Sequence, residues 1–256
     1  MALYTTLHLH NIAAGQEAQY AAWFDGQHLE ELTKLRGFVA SERFEIAEAQ
    51  IMPDIAQPWR FLSLYEFDLH VPEIDLPGLG ALIANARDKH LILDDDTERL
   101  YSYSMYSDWQ GSPNWQQEHP LSGVSIILGN YVAGRGPEYH QWYDEVHSIE
   151  VTSVPGHVAM KRGQLSDVQI APQHYCPGDQ LILCANQTDD LLFTIKDFSA
   201  RARGVSPSGI AMAPRSTAGS FARTVHYFKK ISGAHFWPGG VAYAGDLSVY
   251  KNALPK

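Results

Sequence analysis

Trp142-Tyr143-Asp144-Glu145-Val146-His147, closed by Pro155-Gly156-His157-Val158-Ala159 and Arg162, decides the fold because the chain contains it twice. The other copy is Trp23-Phe24-Asp25-Gly26-Gln27-His28, closed by Gly37-Phe38-Val39-Ala40 and Arg43. The copies lie 119 positions apart, and the register holds without a gap from about residue 7 to about residue 64. Identical pairs in that window include Leu9/Leu128, Asn11/Asn130, Gly15/Gly134, Tyr20/Tyr139, Glu31/Glu150, Gln50/Gln169, Pro53/Pro172 and Leu64/Leu183. A stacked solenoid needs about three or more units, so two copies imply two compact halves facing each other.

Periodicity supplies the elements of each half. Residues 5–11 read as a strand in which Leu7 and Leu9 alternate with His8 and His10, so the two imidazoles share one face. If Leu7 and Leu9 pack on the helices, His8 and His10 point into the space between the halves. The counterpart Ser125-Ile126-Ile127-Leu128 is apolar on both faces, which implies fuller burial. Helices are expected over 16–35, with Tyr20, Trp23 and Phe24 on one face, and over 137–154, with Pro137 in the first turn. Gly37 and Gly156 suit C-terminal caps. Second strands follow over 38–46 and 157–165, and third strands over 61–67 and 180–185. Second helices follow over 74–90 and 191–203, and fourth strands over 98–106 and 221–230.

Each half therefore reads β-α-β-β-α-β, the order of a ferredoxin-like split βαβ unit with both helices on one face of a four-stranded antiparallel sheet. The bare sheet face must find a cover. The expected fold is α+β: two tandem ferredoxin-like βαββαβ units packed sheet to sheet as an intrachain α/β barrel. The first unit spans 1–108, a linker 109–122, the second unit 123–235 and a C-terminal tail 236–256. The tail lies outside both repeats, where it can clasp the partner half or a second subunit. Residues 204–219, rich in Ser, Gly and Pro and containing Arg215, form a candidate lid.

Composition narrows the function classes. A net charge of −10 and no cluster of Lys and Arg argue against a nucleic-acid partner, which needs a basic face. Cys176 and Cys184 are too few for a disulfide framework and fit a reduced, cytoplasmic protein. The start, Met1-Ala2-Leu3-Tyr4-Thr5, shows no basic n-region or apolar h-region, and no run approaches the roughly 18–20 apolar residues of a membrane span. No His-x-x-x-His or Cys-x-x-Cys grouping suggests a metal, and no Gly-x-Gly-x-x-Gly, P-loop or Gly-x-Ser-x-Gly pattern appears.

The repeated residues resemble a known family. Trp-Tyr-Asp-x-x-His followed by Pro-Gly-x-Val-x-x-x-Arg is similar to the dimeric α/β-barrel superfamily, and most to its EthD-like members. The likeness covers about 7–106 and 124–230. The second copy is the closer match, since the first has Phe24 for the Tyr and Arg36 for the Pro. The resemblance implies one chain making the barrel that many relatives make as a homodimer, and a further homodimer of the whole chain is allowed. It does not select a reaction, because the superfamily hosts cofactor-free monooxygenases, polyketide cyclases, lactone isomerases, dehydratases and haem enzymes.

Four groups of residues are candidates for the chemistry. His28 and His147 suit proton transfer at neutral pH, with Asp25 or Asp144 three residues earlier orienting the ring. Alternatively, both pairs are architectural, as their duplication suggests. His8 and His10 occur in one half only, opposite Ile127 and Gly129, which singles out the first half as the one that keeps function. Alternatively, they are hydrogen-bonded core residues. Arg43 and Arg162 suit a substrate carboxylate or phenolate, or structural ion pairs with Asp25 and Asp144. Tyr65, Tyr101 and Tyr103 are strand residues whose hydroxyls can donate to a developing oxyanion, or simply pack.

The leading expectation is a small-molecule enzyme of aromatic-compound catabolism, acting on an aromatic or polyketide-like substrate as a lyase, isomerase or cyclase without a cofactor. His8, His10, His28 and Tyr103 are its catalytic candidates. Arg43, Tyr65, Tyr101 and Trp23 are substrate-binding candidates, and Asp25, Asp144, His147 and Arg162 are structural or second-site residues. The alternatives are a cofactor-free or haem-dependent oxygenase, and a non-catalytic ligand-binding or stress protein.

Overall fold

Strand β1 (Ala2–His10) is the centre of the first half, flanked by β3 (Phe61–Leu69) and β4 (Arg99–Met105), both antiparallel to it. Strand β2 (Phe38–Ile46) adds to the far edge of β3. The short β5 (Gln110–Gly111) lies in the linker and pairs with Met160 and Ala159 of β7 (His157–Leu165), so the linker is tied down. The second half repeats the plan: β6 (Gly123–Gly129) sits between β8 (Gln180–Asn186) and β9 (Thr224–Trp237), with β7 beyond β8. A final β10 (Gly240–Ala242) pairs with β9. The computed structural model describes residues 2–92, 96–116, 119–219, 223–237 and 240–242. The clasp expected of the C-terminal tail falls largely outside these residues.

The halves do more than face each other. β4 pairs with β7, and β2 pairs with β9, so the edges are zipped and eight strands close into one antiparallel barrel. Closure removes the exposed edges that open sheets must protect. The identical pair Gln50/Gln169 strengthens both seams. Gln50 accepts from the Tyr227 backbone N–H and donates to its carbonyl, across the halves. Gln169 makes the same two bonds to the backbone of Ser102.

Both sheet faces are therefore buried, one inside the barrel and one under the helices. Leu7, Leu9, Phe44, Leu64, Tyr101, Tyr103, Ile126, Leu183 and Phe228 belong to the interior cluster. A second cluster, including Tyr20, Phe24, Tyr65, Phe67 and Leu100, lies between the first half's sheet and its helices. The interior also holds two cross-barrel ion pairs. Lys161, fully buried, lies 2.5 Å from Glu66 and over the Trp109 ring, and Lys230 lies 2.7 Å from Glu42.

This packing reverses the expected orientation of β1. Leu7 and Leu9 point into the barrel, and His8 and His10 point outward beneath the helices. Alternation fixes that the two sets lie on opposite faces but not which face is which. The interior of a small barrel is filled by side chains, and here the apolar set fills it. The helix side supplies the partners that buried imidazoles need.

The first helix of each half is also not regular. α1 (Glu17–Trp23) passes into a π-helical turn over Phe24–His28 and resumes as α2 (Leu29–Leu32). The second half has α4 (Gly136–Trp142), a π-helical turn over Tyr143–His147, and α5 (Ser148–Thr152). Each turn into the next strand uses a glycine at positive φ, Gly37 at 79° and Gly156 at 95°. A Cβ on Gly37 would lie 2.3 Å from the carbonyl oxygen of Asp68, so no other residue fits. The later helices are α3 (Pro72–Asp88) and α6 (Leu191–Ala202), the latter capped by Asp190.

Candidate active site

In a regular α-helix, residues three and four apart share a face. The wider π-helical turn instead brings residues five apart together. His147 stacks on Trp142 with ring centres 4.2 Å apart, and His28 stacks on Trp23 at 4.3 Å. The duplicated motif is thus a device for presenting an imidazole, backed by an indole, toward the outer face of the sheet.

What lies opposite that imidazole differs between the halves. In the first half Nε2 of His28 meets the Tyr65 hydroxyl at 3.1 Å. The Phe24 ring lies 5.0 Å from the His28 ring, and Tyr20, His8 and His10, all nearly or fully buried, fill the same layer under the helix. In the second half the register places Cys184 where Tyr65 stands, Ile127 where His8 stands, and Gly129 where His10 stands. Cys184 and Ile127 line a cavity of about 400 Å³ there.

Four elements build this cavity. Its floor is the outer face of the second half's sheet, with Ile127, Ile182, Cys184, Met160, His157 and Tyr227. Trp142, Tyr143, His147 and Val151 form one wall, and Phe198 on α6 another. The roof is the segment expected to be a lid, with Met212, Ala213 and Arg215. It is held by Arg135, whose guanidinium donates to Thr217, and by bonds from the N–H groups of Val132 to Ala218 and of Met212 to Arg201. The first half contributes Ile51.

His147 is the group on this wall best suited to move a proton. The carboxylate that approaches it is Glu150, with Oε2 3.9 Å from Nδ1. Asp144 instead pairs with Arg162. Glu150 Oε1 accepts the Ala213 N–H of the roof at 2.5 Å, so roof and imidazole share one carboxylate. Burial, and then the Arg215 charge, lower the His147 pKa to about 4, so the ring is neutral at pH 7 with its lone pair free to accept a proton. His157 is lowered to about 4 by burial, partly offset by the backbone of Val151, and its Nε2 lies 3.3 Å from the Tyr227 hydroxyl. Burial pushes the Cys184 thiol up to about 12 and the Tyr227 hydroxyl higher still, so both stay protonated.

The other sequence-selected residues are placed as follows. His8 Nε2 lies 2.7 Å from Glu98, which also receives two bonds from Arg87. Burial opposes ionisation of Glu98, but these bonds outweigh it and hold its pKa at about 2. His10 stacks on His8, and burial, with the His8 charge second, keeps His10 neutral. Arg43 pairs with Asp25 at 2.9 Å and lies over the Phe24 ring. Tyr101 and Tyr103 are inside the barrel, on the other face of the sheet from His8, His10 and His28. Their hydroxyls donate to the carbonyls of Tyr175 and Gly178, and Tyr103 also meets Cys176 Sγ at 3.0 Å. The structure therefore groups His8, His10, His28, Tyr65 and Trp23, and leaves Tyr103 apart.

Sequence reasoning missed Cys184, His157 and Phe198, whereas Tyr227, a fourth-strand tyrosine, falls under the oxyanion-donor reading of strand Tyr hydroxyls. The signal for the first was present: a Tyr-to-Cys exchange at the register position facing the repeated His removes volume from one half only. Among the described residues, no three His, Cys, Asp or Glu gather as metal ligands, and no helix is long and apolar enough to cross a membrane.

No protein-family model and no curated protein matches the sequence. Solved structures match its shape. A Fusobacterium nucleatum protein provisionally described as a monooxygenase superposes with a TM-score of 0.51 at 7% identity, over 96% of this chain and 99% of that one. An anthrone oxidase-like protein superposes with a TM-score of 0.50 at 9% identity, over 95% and 96%. At these identities the likeness shows the α+β barrel fold alone.

Proposed function

We propose that the second-half cavity holds a small aromatic or polyketide-like molecule and that His147 moves a proton on it. The reading rests on one observation: His147 lines an aromatic-walled cavity, whereas its copy His28 is stoppered by Tyr65. In this reading the chain is an EthD-like pair of ferredoxin-like units, and the first half is scaffold. His8, His10 and His28 then stabilise the sealed half, and Tyr103 braces the barrel interior.

The chemistry follows from the protonation states. Neutral His147 accepts a proton from an acidic C–H or phenol pressed against Trp142. Glu150 steadies the imidazolium that results. Tyr227 donates its hydroxyl to the enolate or phenolate oxygen that develops. Return of the proton at another carbon gives an isomerase, and loss of a leaving group gives a lyase. Attack of the enolate carbon on a carbonyl of the same molecule, with the proton returned to that carbonyl oxygen, gives a cyclase. The apolar walls exclude competing water.

The test is solvent-deuterium exchange at the α-carbon of an aryl ketone such as 2-tetralone, followed by NMR. The protein should accelerate exchange, and His147→Gln should lose about a hundredfold or more of that acceleration. Exchange unchanged in the variant overturns the assignment. A cofactor-free oxygenase would begin with the same proton abstraction, and the names of the two fold neighbours give an oxygenase some support. Dioxygen uptake in the same assay, and a Soret band on haem titration, separate the oxidative branches.

A further inference from the structure

We infer that the ligand of the second-half cavity is an acidic aromatic compound, whose carboxylate is received at the mouth by Arg223 with Arg215 and Arg203. The inference rests on the cavity being the ligand site, and adds the charge of the molecule.

Among the described residues, three arginines line this cavity and no Asp or Glu does, in a chain whose net charge is −10. They come from separate elements: Arg203 ends α6, Arg215 belongs to the roof, and Arg223 precedes β9. The guanidinium of Arg215 lies against Gly219, and its charge reaches both His147 and Tyr143. The aromatic and thioether part of the lining comprises Trp142, Tyr143, Phe198 and Met160. One apolar compartment with cations at its mouth matches a molecule with an apolar body and one anionic end.

The sealed half gives an independent reason. Leu9 pairs with Arg99 across β1 and β4, and its copy Leu128 pairs with Thr224 across β6 and β9. Arg223 therefore occupies the position of Glu98. In the first half that position supplies an internal carboxylate, held by Arg87 and His8. In the second half the charge is reversed and the neighbouring cations face the cavity. At this strand position the first half supplies an anion and the second half a cation. Guanidinium forks also bind carboxylates with two parallel hydrogen bonds, so the contact orients the molecule as well as holding it.

The experiment compares 2-naphthoate with 2-naphthamide, equal in shape and different in charge, by isothermal titration calorimetry on the full chain. Naphthoate should bind about tenfold tighter or more, and added salt should erode the preference. Arg223→Gln should bring the two affinities together, and Arg223→Glu should favour the amide. Equal binding of acid and amide by the unaltered protein overturns the inference while the cavity stays a ligand site. So does a preference unchanged in both Arg223→Gln and Arg215→Gln. If neither compound binds, both the inference and the proposed function fall. Far-UV circular dichroism of each variant separates a lost contact from a lost fold.

Discussion

Tyr65 and Cys184 occupy equivalent places in the two halves, and the exchange of a phenol for a thiol helps decide which half is hollow. The phenol reaches His28 and fills the space before it. The thiol is too short to fill the same space before His147.

Cys184→Tyr should therefore stopper the second cavity. Calorimetry with 2-naphthoate should show at least about a tenfold loss of affinity, with no loss of melting temperature, because the new ring enters existing space. The reverse change, Tyr65→Cys, removes a fully buried ring and the partner of His28. It should cost about 3 kcal/mol in denaturant unfolding, the scale of a large-to-small core substitution.

The proton-transfer rate should follow the neutral form of His147. It should be flat above about pH 6 and fall as the pH drops through about 4, the value to which burial and then Arg215 lower its pKa. Arg215→Gln removes a cation that disfavours the imidazolium. The acidic limb of the profile should then shift to higher pH.

Stability has its own pH dependence. Burial lowers the pKa of His28 to about 3 and of His157 and His226 to about 4, below the ordinary 6.5. Between those values and 6.5 the unfolded chain binds more protons than the folded one, so stability falls as the pH falls. The melting temperature should drop between pH 7 and pH 4, and His28→Gln should make that drop shallower. An equally steep drop in the variant would remove His28 from the account.

The Lys161–Glu66 pair inside the barrel gives a fourth expectation. Glu66→Gln leaves a buried ammonium without its counter-charge and should cost about 3–5 kcal/mol. Replacing both residues, as Lys161→Met with Glu66→Leu, should recover most of that loss. A double-mutant cycle by urea unfolding measures the coupling.

The repeat made the architecture readable. Paired residues such as Gly37/Gly156 and Gln50/Gln169 perform the same task twice, at the helix-to-strand turn and at the barrel seam. The site was harder to read for two physical reasons. A strand buried on both faces shows two sets of side chains and does not say which lies inside, so His8 and His10 were expected in the barrel. A cavity is also a property of missing volume, and Cys184 carries no chemical flag of its own. The π-helical turn left no local signature either, yet it decides that Trp142 and His147 stack.

The seams between β4 and β7 and between β2 and β9 also bear on how such a barrel can change. Two identical subunits would have to put the same side chain before both imidazoles, so filling one cleft would fill the other. Joined in a single polypeptide, the clefts inherit separately. One half can be traded for rigidity while the other is kept open, and barrel assembly no longer depends on protein concentration.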